Sequence, residues 1–152
     1  MSQSTVRIAA FAGSSRTGSV NQVLLAAAMD GAREAGAEVM HIDLRAPNFP
    51  IYDGDYQSEY GIPAVVKEMR AQLASADAFL IASPEYNSSI SPLLKNVIDW
   101  TSRSDGDDAM LSAWRGRAAA ILSATPGAGG GLRGLLHLRD ILQNIGMIVL
   151  PK

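Results

Sequence analysis

The chain has 152 residues, of which 47% are hydrophobic and 18% are charged, so we expect one domain with a sizeable core and exclude a disordered chain. A net charge of -2 gives no electrostatic attraction to nucleic acid or to an anionic membrane, and the lack of cysteine excludes disulfides, thiolate catalysis and Cys-ligated metals. The polar N-terminus lacks a signal core and no apolar run could span a bilayer, which predicts a cytoplasmic protein without a membrane partner.

Strands and helices are predicted to alternate along the chain. Short apolar runs, typical of buried parallel strands, lie at 6–12, 39–42, 78–82, 118–124 and 147–150. Helical patterns lie between them, at 20–35, 63–76, 92–101 and 135–145. In the first helix a small-residue face of Leu24, Ala27, Ala28, Gly31 and Ala35 is predicted to lie close to the sheet.

Residues that begin or end helices support the same boundaries. Ser19 and Ser91 are candidate N-caps, Pro92 occupies a favourable first helical position, and Gly36 is a natural helix stop. Residues 43–62 are rich in Pro, Gly, Asp and Tyr and predict a long structureless connection. A connection of that length in a compact domain is usually functional.

The alternation predicts an α/β fold in which a doubly wound, five-stranded parallel sheet has the order 2-1-3-4-5, as a single domain over residues 1–152. Such a sheet carries helices on both faces, yet the sequence ends on its fifth strand, at Pro151 and Lys152. We therefore expect a C-terminally short domain that lacks the final helix. Its bare face would be covered by a missing segment or by a partner.

In this strand order the loops after strands 1, 3 and 4 meet at the edge where open α/β sheets bind ligands. The first loop, residues 13–21, offers hydroxyls, the guanidinium of Arg16 and backbone amides at a helix N-terminus, which together predict an anion site. Neither Gly-x-x-x-x-Gly-Lys nor Gly-x-Gly-x-x-Gly fits this loop, which disfavours a nucleotide triphosphatase and a Rossmann site. The alternative is a Ser/Gly-rich turn that only caps the helix.

The second loop places Pro84 before Glu85, Tyr86 and Asn87. A rigid turn of this kind is predicted to expose backbone amides to the polar edge of a flat heterocycle, while Tyr86 covers one face. For Glu85 the sequence favours a hydrogen bond that orders the loop over a role as catalytic acid, because no second carboxylate or histidine lies at a recognisable spacing.

The third loop, residues 125–131, is rich in glycine and would permit a ligand to approach the backbone closely. A strand-to-helix turn that needs positive φ angles is the alternative. No metal site is predicted: His41 and His137 have no ligand spacing, and Asp105, Asp107 and Asp108 resemble a fragment of a calcium loop without its distant Glu, for which a solvated turn is favoured.

Three segments of the chain resemble one family. They read Gly-Ser-Ser-Arg-Thr-Gly-Ser-Val-Asn at 13–21, Ser-Pro-Glu-Tyr-Asn at 83–87 and Leu-Lys-Asn-Val-Ile-Asp-Trp at 94–100. Together they resemble the flavodoxin-like NADPH-dependent FMN reductases, which include chromate, quinone and azo-dye reductases, over residues 6–151. The resemblance implies an oxidoreductase that passes two electrons from NADPH, its cosubstrate, through bound FMN to a small acceptor: a quinone, an azo compound, chromate or free flavin.

The resemblance also implies which residues bind the FMN. The phosphate would be held by Ser14, Arg16, Ser19 and Asn21, together with the amides of Ser15, Gly18 and Val20. The isoalloxazine would be lined by Pro84, Glu85, Tyr86 and Asn87, and its other side bordered by Ser123, Thr125 and Gly127. No catalytic side chain is implied, because the chemistry belongs to the cofactor. Family members are usually homodimers or homotetramers, with the helix at 95–100 near a subunit contact, whereas Asp99 and Trp100 alone indicate helix packing or a subunit contact.

Two other classes of function remain open from the sequence. A non-enzymatic FMN electron carrier would be strongly acidic in order to dock basic partners, and the net charge of -2 does not favour it. A flavin-free interaction domain is made more credible by the missing last helix. The preference for NADPH over NADH is implied by the family alone, since no site for a 2′-phosphate can be located in the sequence.

Overall fold

The computed structural model describes residues 4–106 and 108–151, and in that part of the chain it contains five strands and five helices. The strands are β1 Arg7–Ala12, β2 Glu38–His41, β3 Ala78–Ala82, β4 Ala118–Leu122 and β5 Ile148–Val149. The helices are α1 Val20–Glu34, α2 Gly54–Tyr60, α3 Ala64–Ala74, α4 Pro92–Thr101 and α5 Leu132–Asn144. None of the helices in these ranges combines the length and the apolar character needed to cross a bilayer.

All strand pairs are parallel, and the sheet order is β2-β1-β3-β4-β5, which confirms the predicted topology. The register pairs Ala12 with Ala82 and Ala82 with Leu122. The carboxyl ends of β1, β3 and β4 therefore lie side by side, as expected from the sequence.

Two hydrophobic layers cover the two faces of the sheet. On one face α1 packs Leu25 and Met29 onto Ala10, Ala12 and Ala82, whose small side chains let the helix approach closely. Helices α3, α4 and α5 pack on the opposite face, where the large, fully buried side chains include Trp114, Phe11, Phe79, Leu73, Leu94 and Leu138.

The buried face of α1 differs from the one expected from small residues. Its buried positions are Asn21, Leu25 and Met29, each four residues apart, whereas Ala27 and Gly31 are exposed. Positions four apart form a continuous row along a helix. The polar Asn21 at the head of this row concealed it in the sequence, and the prediction of a face through Ala27 and Gly31 was wrong.

The connection at 43–62 was wrongly predicted to be structureless, since it contains α2. Asp53 caps this helix, because its carboxylate accepts hydrogen bonds from the amides of Asp55 at 2.8 Å and Tyr56 at 3.3 Å. No residue of α2 is buried, so the sequence has no apolar stripe that could have indicated it. The count of four helices is corrected to five.

Side chains of α4 fasten this connection to the body of the protein. The indole N–H of Trp100 donates to the carbonyl of Pro50 at 2.8 Å, and the ring of Tyr52 lies edge-on to that indole. Trp100 is completely buried within its own chain, so of its two predicted roles it performs helix packing. Asp99 forms an ion pair with Lys95 one turn earlier.

At the β5 edge, the sheet face that α1 covers elsewhere is partly open. The side chains of Ile148 and Leu150 point to this face and remain 62% and 48% exposed. This agrees with the expectation of a bare face.

The backbones of Asp105 and Asp108 exchange two hydrogen bonds. The carboxylate of Asp105 pairs with Lys67 at 3.0 Å and that of Asp108 lies 3.7 Å from Arg70. Asp107, the middle member of the predicted calcium-loop fragment, lies outside the described residues.

Candidate functional site

Three loops leave the sheet together at the carboxyl ends of β1, β3 and β4. Two hydrogen bonds continue the sheet past the last paired residues: Gly13 N–H donates to Ala82 O and Ser83 N–H to Leu122 O, both at 2.8 Å. The first loop (residues 13–21), the second loop (residues 83–91) and the third loop (residues 125–131) therefore start from adjacent points. The sequence prediction that they converge agrees with this arrangement.

The first loop leaves most of its backbone donors without protein acceptors. Within residues 4–106 and 108–151 no acceptor is found for the amides of Ser14, Ser15, Thr17, Gly18, Ser19 and Val20. Residues 15–18 are exposed. Gly18 turns the chain with a φ of 68°, in the region that glycine adopts without strain. A run of free amides is the arrangement that binds an anion at a helix N-terminus.

The polar side chains of this loop divide into two groups. Ser14 and Ser19 are buried: Ser19 caps α1 by accepting from Asn21 N–H at 3.2 Å, and the Ser14 hydroxyl accepts from Arg16 N–H at 3.4 Å. Arg16 is exposed, and no described residue binds its guanidinium. The buried serines therefore shape the loop, while Arg16 is available to an incoming anion.

The second loop is a tight hairpin that is closed on itself. Tyr86 and Ser89 exchange hydrogen bonds of 2.9 and 3.0 Å between their backbones, and Asn87 and Ser88 have φ angles of 50° and 65°. Positive φ at both central residues defines the type I′ turn preferred in two-residue hairpins, where Asn is favoured at the first position. Pro84 is buried and Tyr86 is 43% exposed, so an aromatic face projects from a rigid base.

The carboxylate of Glu85 points away from the turn, toward α5. Its Oε2 accepts from Gly134 N–H, in the first turn of α5, at 3.0 Å. The N-cap of α5 is Gly131, which has no side chain to perform this role, so Glu85 satisfies one of the free amides at that end. This agrees with the favoured prediction of a loop-ordering hydrogen bond.

The third loop depends on glycine at its end. Gly131 has a φ of 80°, and a Cβ atom there would overlap the hydroxyl of Ser123 and lie 2.6 Å from its Cβ. Positive φ also occurs at Gly130, at 57°, whereas Gly127 is exposed and lacks it. The positive φ angles and the contact with Ser123 support the strand-to-helix turn. Close approach of a ligand to this loop stays a prediction. The hydroxyl of Ser123 is buried without a hydrogen-bond partner among the described residues.

Two side chains at helix starts tie the loops to one another. The carboxamide of Asn21 accepts from Ala124 N–H and donates to Ala124 O, both at 3.0 Å. The hydroxyl of Ser91 donates to the carbonyl of Gly13 and accepts from Leu94 N–H at 3.1 Å, so it caps α4 and joins the first loop to the second. A side chain at Gly13 would lie 3.0 Å from Leu94 Cβ, which explains the glycine at this contact.

These contacts show what the sequence missed. The predicted site residues lie on the three loops, apart from Ser123, which directly follows β4. Ser91 and Ala124 were not among them, although Ser91 was predicted as a helix cap. Asn21 belongs to the same edge, yet both polar atoms of its side chain are engaged with Ala124. The available signal was position alone, since Ser91 and Asn21 both begin helices that follow sheet strands.

A family model described as NADPH-dependent FMN reductase matches residues 6–152. The chain belongs to this family. The resemblance noted in the sequence is thereby confirmed.

Individual relatives agree. The chain is 42% identical to a probable NADPH:quinone oxidoreductase of Oryza sativa subsp. japonica over 142 residues, which are 92% of this chain and 66% of the relative. It is 36% identical over 147 residues to the quinone reductase of Escherichia coli strain K12, covering 97% of this chain and 74% of the relative. The chain thus spans about two thirds of the rice relative's length.

Solved structures confirm the flavodoxin-like fold class. The flavoenzyme NAD(P)H:(acceptor) oxidoreductase FerB of Paracoccus denitrificans superposes with a TM-score of 0.80 at 26% identity, covering 97% of this chain and 76% of that chain. The apo form of the NADH:FMN oxidoreductase EmoB has a TM-score of 0.70 at 24% identity, covering 97% and 73%, and supports the fold alone.

Proposed function

We propose that the chain forms one FMN-binding domain, over residues 1–152, of an oxidoreductase that uses NADPH to reduce a small acceptor, a quinone in the first place. The observation that carries this proposal is the set of amides at Ser14, Ser15 and 17–20 that find no acceptor among the described residues, beside the guanidinium of Arg16, which no described residue binds. The family and its quinone-reducing relatives supply the chemistry. In the net reaction NADPH, a proton and a quinone become NADP⁺ and a hydroquinone.

The residues fit FMN at both of its ends. The amides of the first loop donate to the phosphate from the N-terminus of α1, and Arg16 adds a charged, two-pronged donor. The buried hydroxyls of Ser14 and Ser19 accept from backbone amides of the loop and stabilise its conformation, and Gly18 allows the turn at positive φ. When bound at these residues, FMN would supply the two-electron transfer between nicotinamide and acceptor.

The second and third loops hold the ring. The amides of Glu85 and Asn87, which find no acceptor among the described residues, would donate to the polar edge of the heterocycle, where donors stabilise negative charge, and Tyr86 presents an aromatic face. Ser123, Thr125 and Gly127 border the opposite side, on the loop that Asn21 fastens. The protein thereby binds and orients the cofactor, and no general acid or nucleophile is required from its side chains.

We infer further that the protein acts in the cytoplasm as a homodimer or homotetramer, with no nucleic-acid partner. The absence of cysteine and the weak net charge support the first and last of these inferences. The family resemblance of the helix at 95–100 supports the second. Light scattering after size exclusion would report the oligomeric state, and a monomer at all concentrations would contradict it.

The direct test uses the purified protein loaded with FMN. NADPH oxidation is followed by its absorbance, with benzoquinone present or absent, after free FMN has been removed. We expect turnover that depends on both benzoquinone and bound FMN. Bound FMN without NADPH oxidation would replace the proposal with an electron carrier, and no flavin spectrum even after added FMN would replace it with a flavin-free interaction domain.

A further inference from the structure

The carboxamide of Asn21 is fully used within the protein. Its oxygen accepts from Ala124 N–H and its nitrogen donates to Ala124 O, a two-point contact at 3.0 Å in each direction between residues 103 apart in sequence. The residue is only 2% exposed. An amide that pairs both of its polar atoms with one backbone unit has little capacity left for a ligand.

Among the described residues, no strand pairs with the backbone of Ala124. Pairing between β3 and β4 ends at Leu122, where Ser83 N–H adds one further bond, and β5 pairs with β4 only at Ala118 and Ala119. Among the described residues, the backbone of Ala124 therefore finds its hydrogen-bond partners in Asn21 alone. The contact decides where the chain leaves β4 to form the third loop.

The same turn of helix also shapes the first loop. The amide of Asn21 donates to the capping hydroxyl of Ser19 at 3.2 Å, directly after the free amides. Asn21 thus touches the anion-binding loop through its backbone and the third loop through its side chain. One residue fixes the distance between the two loops.

We propose that Asn21 is a positioning residue that fixes the third loop against the flavin ring, and that it is not a ligand of the phosphate. The inference rests on the proposed FMN site. It makes a specific demand: loss of the Asn21 side chain must weaken flavins with and without a phosphate equally, because the disturbed contacts lie at the ring.

The test compares FMN with riboflavin, which lacks the phosphate, by titration with flavin fluorescence as the readout. For Asn21→Ala we expect both dissociation constants to rise by roughly 5- to 20-fold, the size of one or two lost hydrogen bonds. Their ratio, riboflavin over FMN, stays within about twofold of the wild-type value. Arg16→Ala serves as the comparison for a phosphate ligand. It should lower the ratio of the riboflavin dissociation constant to the FMN dissociation constant about tenfold or more.

A matched control uses the same chemistry elsewhere. Asn96 accepts from Tyr52 N–H at 2.8 Å and donates to Pro50 O at 2.9 Å, a second carboxamide clamp on a backbone segment. Asn96→Ala should lower the thermal midpoint as Asn21→Ala does, yet leave both flavin affinities unchanged. This separates loss of position at the site from general loss of stability.

The outcomes are distinct. A ratio that falls in Asn21→Ala as it does in Arg16→Ala would make Asn21 a phosphate ligand, and two unchanged affinities would show that the clamp does not position the site; either result overturns the inference. Should Asn21→Ala fail to fold, the uncharged Asn21→Ser variant, titrated at low temperature, answers the same question. Wild-type protein that binds neither flavin would instead refute the proposed function.

Discussion

The first and second loops leave neighbouring strands of one sheet, yet they treat their hydrogen-bond donors in opposite ways. The amides of Ser14 and Ser15 and those at 17–20 lack acceptors in the described protein, and the guanidinium of Arg16 is exposed. In the second loop Tyr86 and Ser89 pair their backbones with each other, and the carboxylate of Glu85 accepts from the first turn of α5. The free donors of the first loop are available to a ligand, whereas the paired backbone of the second loop makes that turn rigid.

This contrast has a measurable form. Substitutions in the first loop should change flavin affinity more than the free energy of unfolding, and those in the second loop the reverse. Flavin titration measures the first quantity and urea denaturation the second.

The largest effect is expected for Arg16→Ala. Loss of a charged donor to phosphate should weaken FMN binding by about 1.5–3 kcal/mol, or about 10- to 150-fold, while the free energy of unfolding changes by less than about 0.5 kcal/mol. FMN titration and urea denaturation check the two parts. Arg33→Ala is the control, since Arg33 lies at the other end of α1 in an exposed pair with Asp30 that contributes little. Unchanged FMN affinity in Arg16→Ala would remove this residue from the phosphate site.

Ser91→Ala comes next and probes the junction of the two loops. It removes the N-cap of α4 and the bond to Gly13 O, and should lower the free energy of unfolding by about 1–2 kcal/mol. Ser58→Ala, which removes an exposed hydroxyl in α2, is the matched control and should be nearly neutral. Equal stability of the two variants would show that the Ser91 link is dispensable.

Asn87→Ala tests the closed turn itself. A φ of 50° costs alanine roughly 1 kcal/mol, so urea denaturation should show a loss of that size. Glycine adopts this angle without strain, and Asn87→Gly should be no less stable than the wild type. If both variants lost the same stability, the side chain of Asn87 and not its backbone angle would be important.

The smallest effect is expected for Glu85→Gln. The glutamine keeps an acceptor for Gly134 N–H and loses only the charge at the N-terminus of α5, which corresponds to about 0.3–1 kcal/mol of stability. Turnover with NADPH and benzoquinone should stay within about threefold. A large fall in turnover with unchanged stability would instead assign Glu85 a catalytic role.

The sequence predicts those features that rest on local rules. The caps Ser19 and Ser91 form hydrogen bonds to amides two and three residues ahead, so their signal lies within a few positions. The sheet order followed from the alternation of strands and helices. The same local rules located the three loops.

Other features depend on contacts between distant residues, and no local pattern records them. Glu85 meets Gly134 across 49 positions and Asn21 meets Ala124 across 103. In α2 the opposite problem applies, since an exposed seven-residue helix has no buried face to shape its sequence. The buried row of α1 begins with the polar Asn21, followed by Leu25 and Met29. Because its first member is polar, an apolar pattern does not show the row.

The central claim is that the open first loop binds the phosphate of FMN, and one titration tests it most directly. Wild-type protein is titrated with FMN and with riboflavin under the same conditions, and the two dissociation constants are compared. The account expects one FMN per chain and at least about tenfold tighter binding of FMN than of riboflavin, the contribution of a charged hydrogen bond or more. Equal affinity for the two flavins would contradict it.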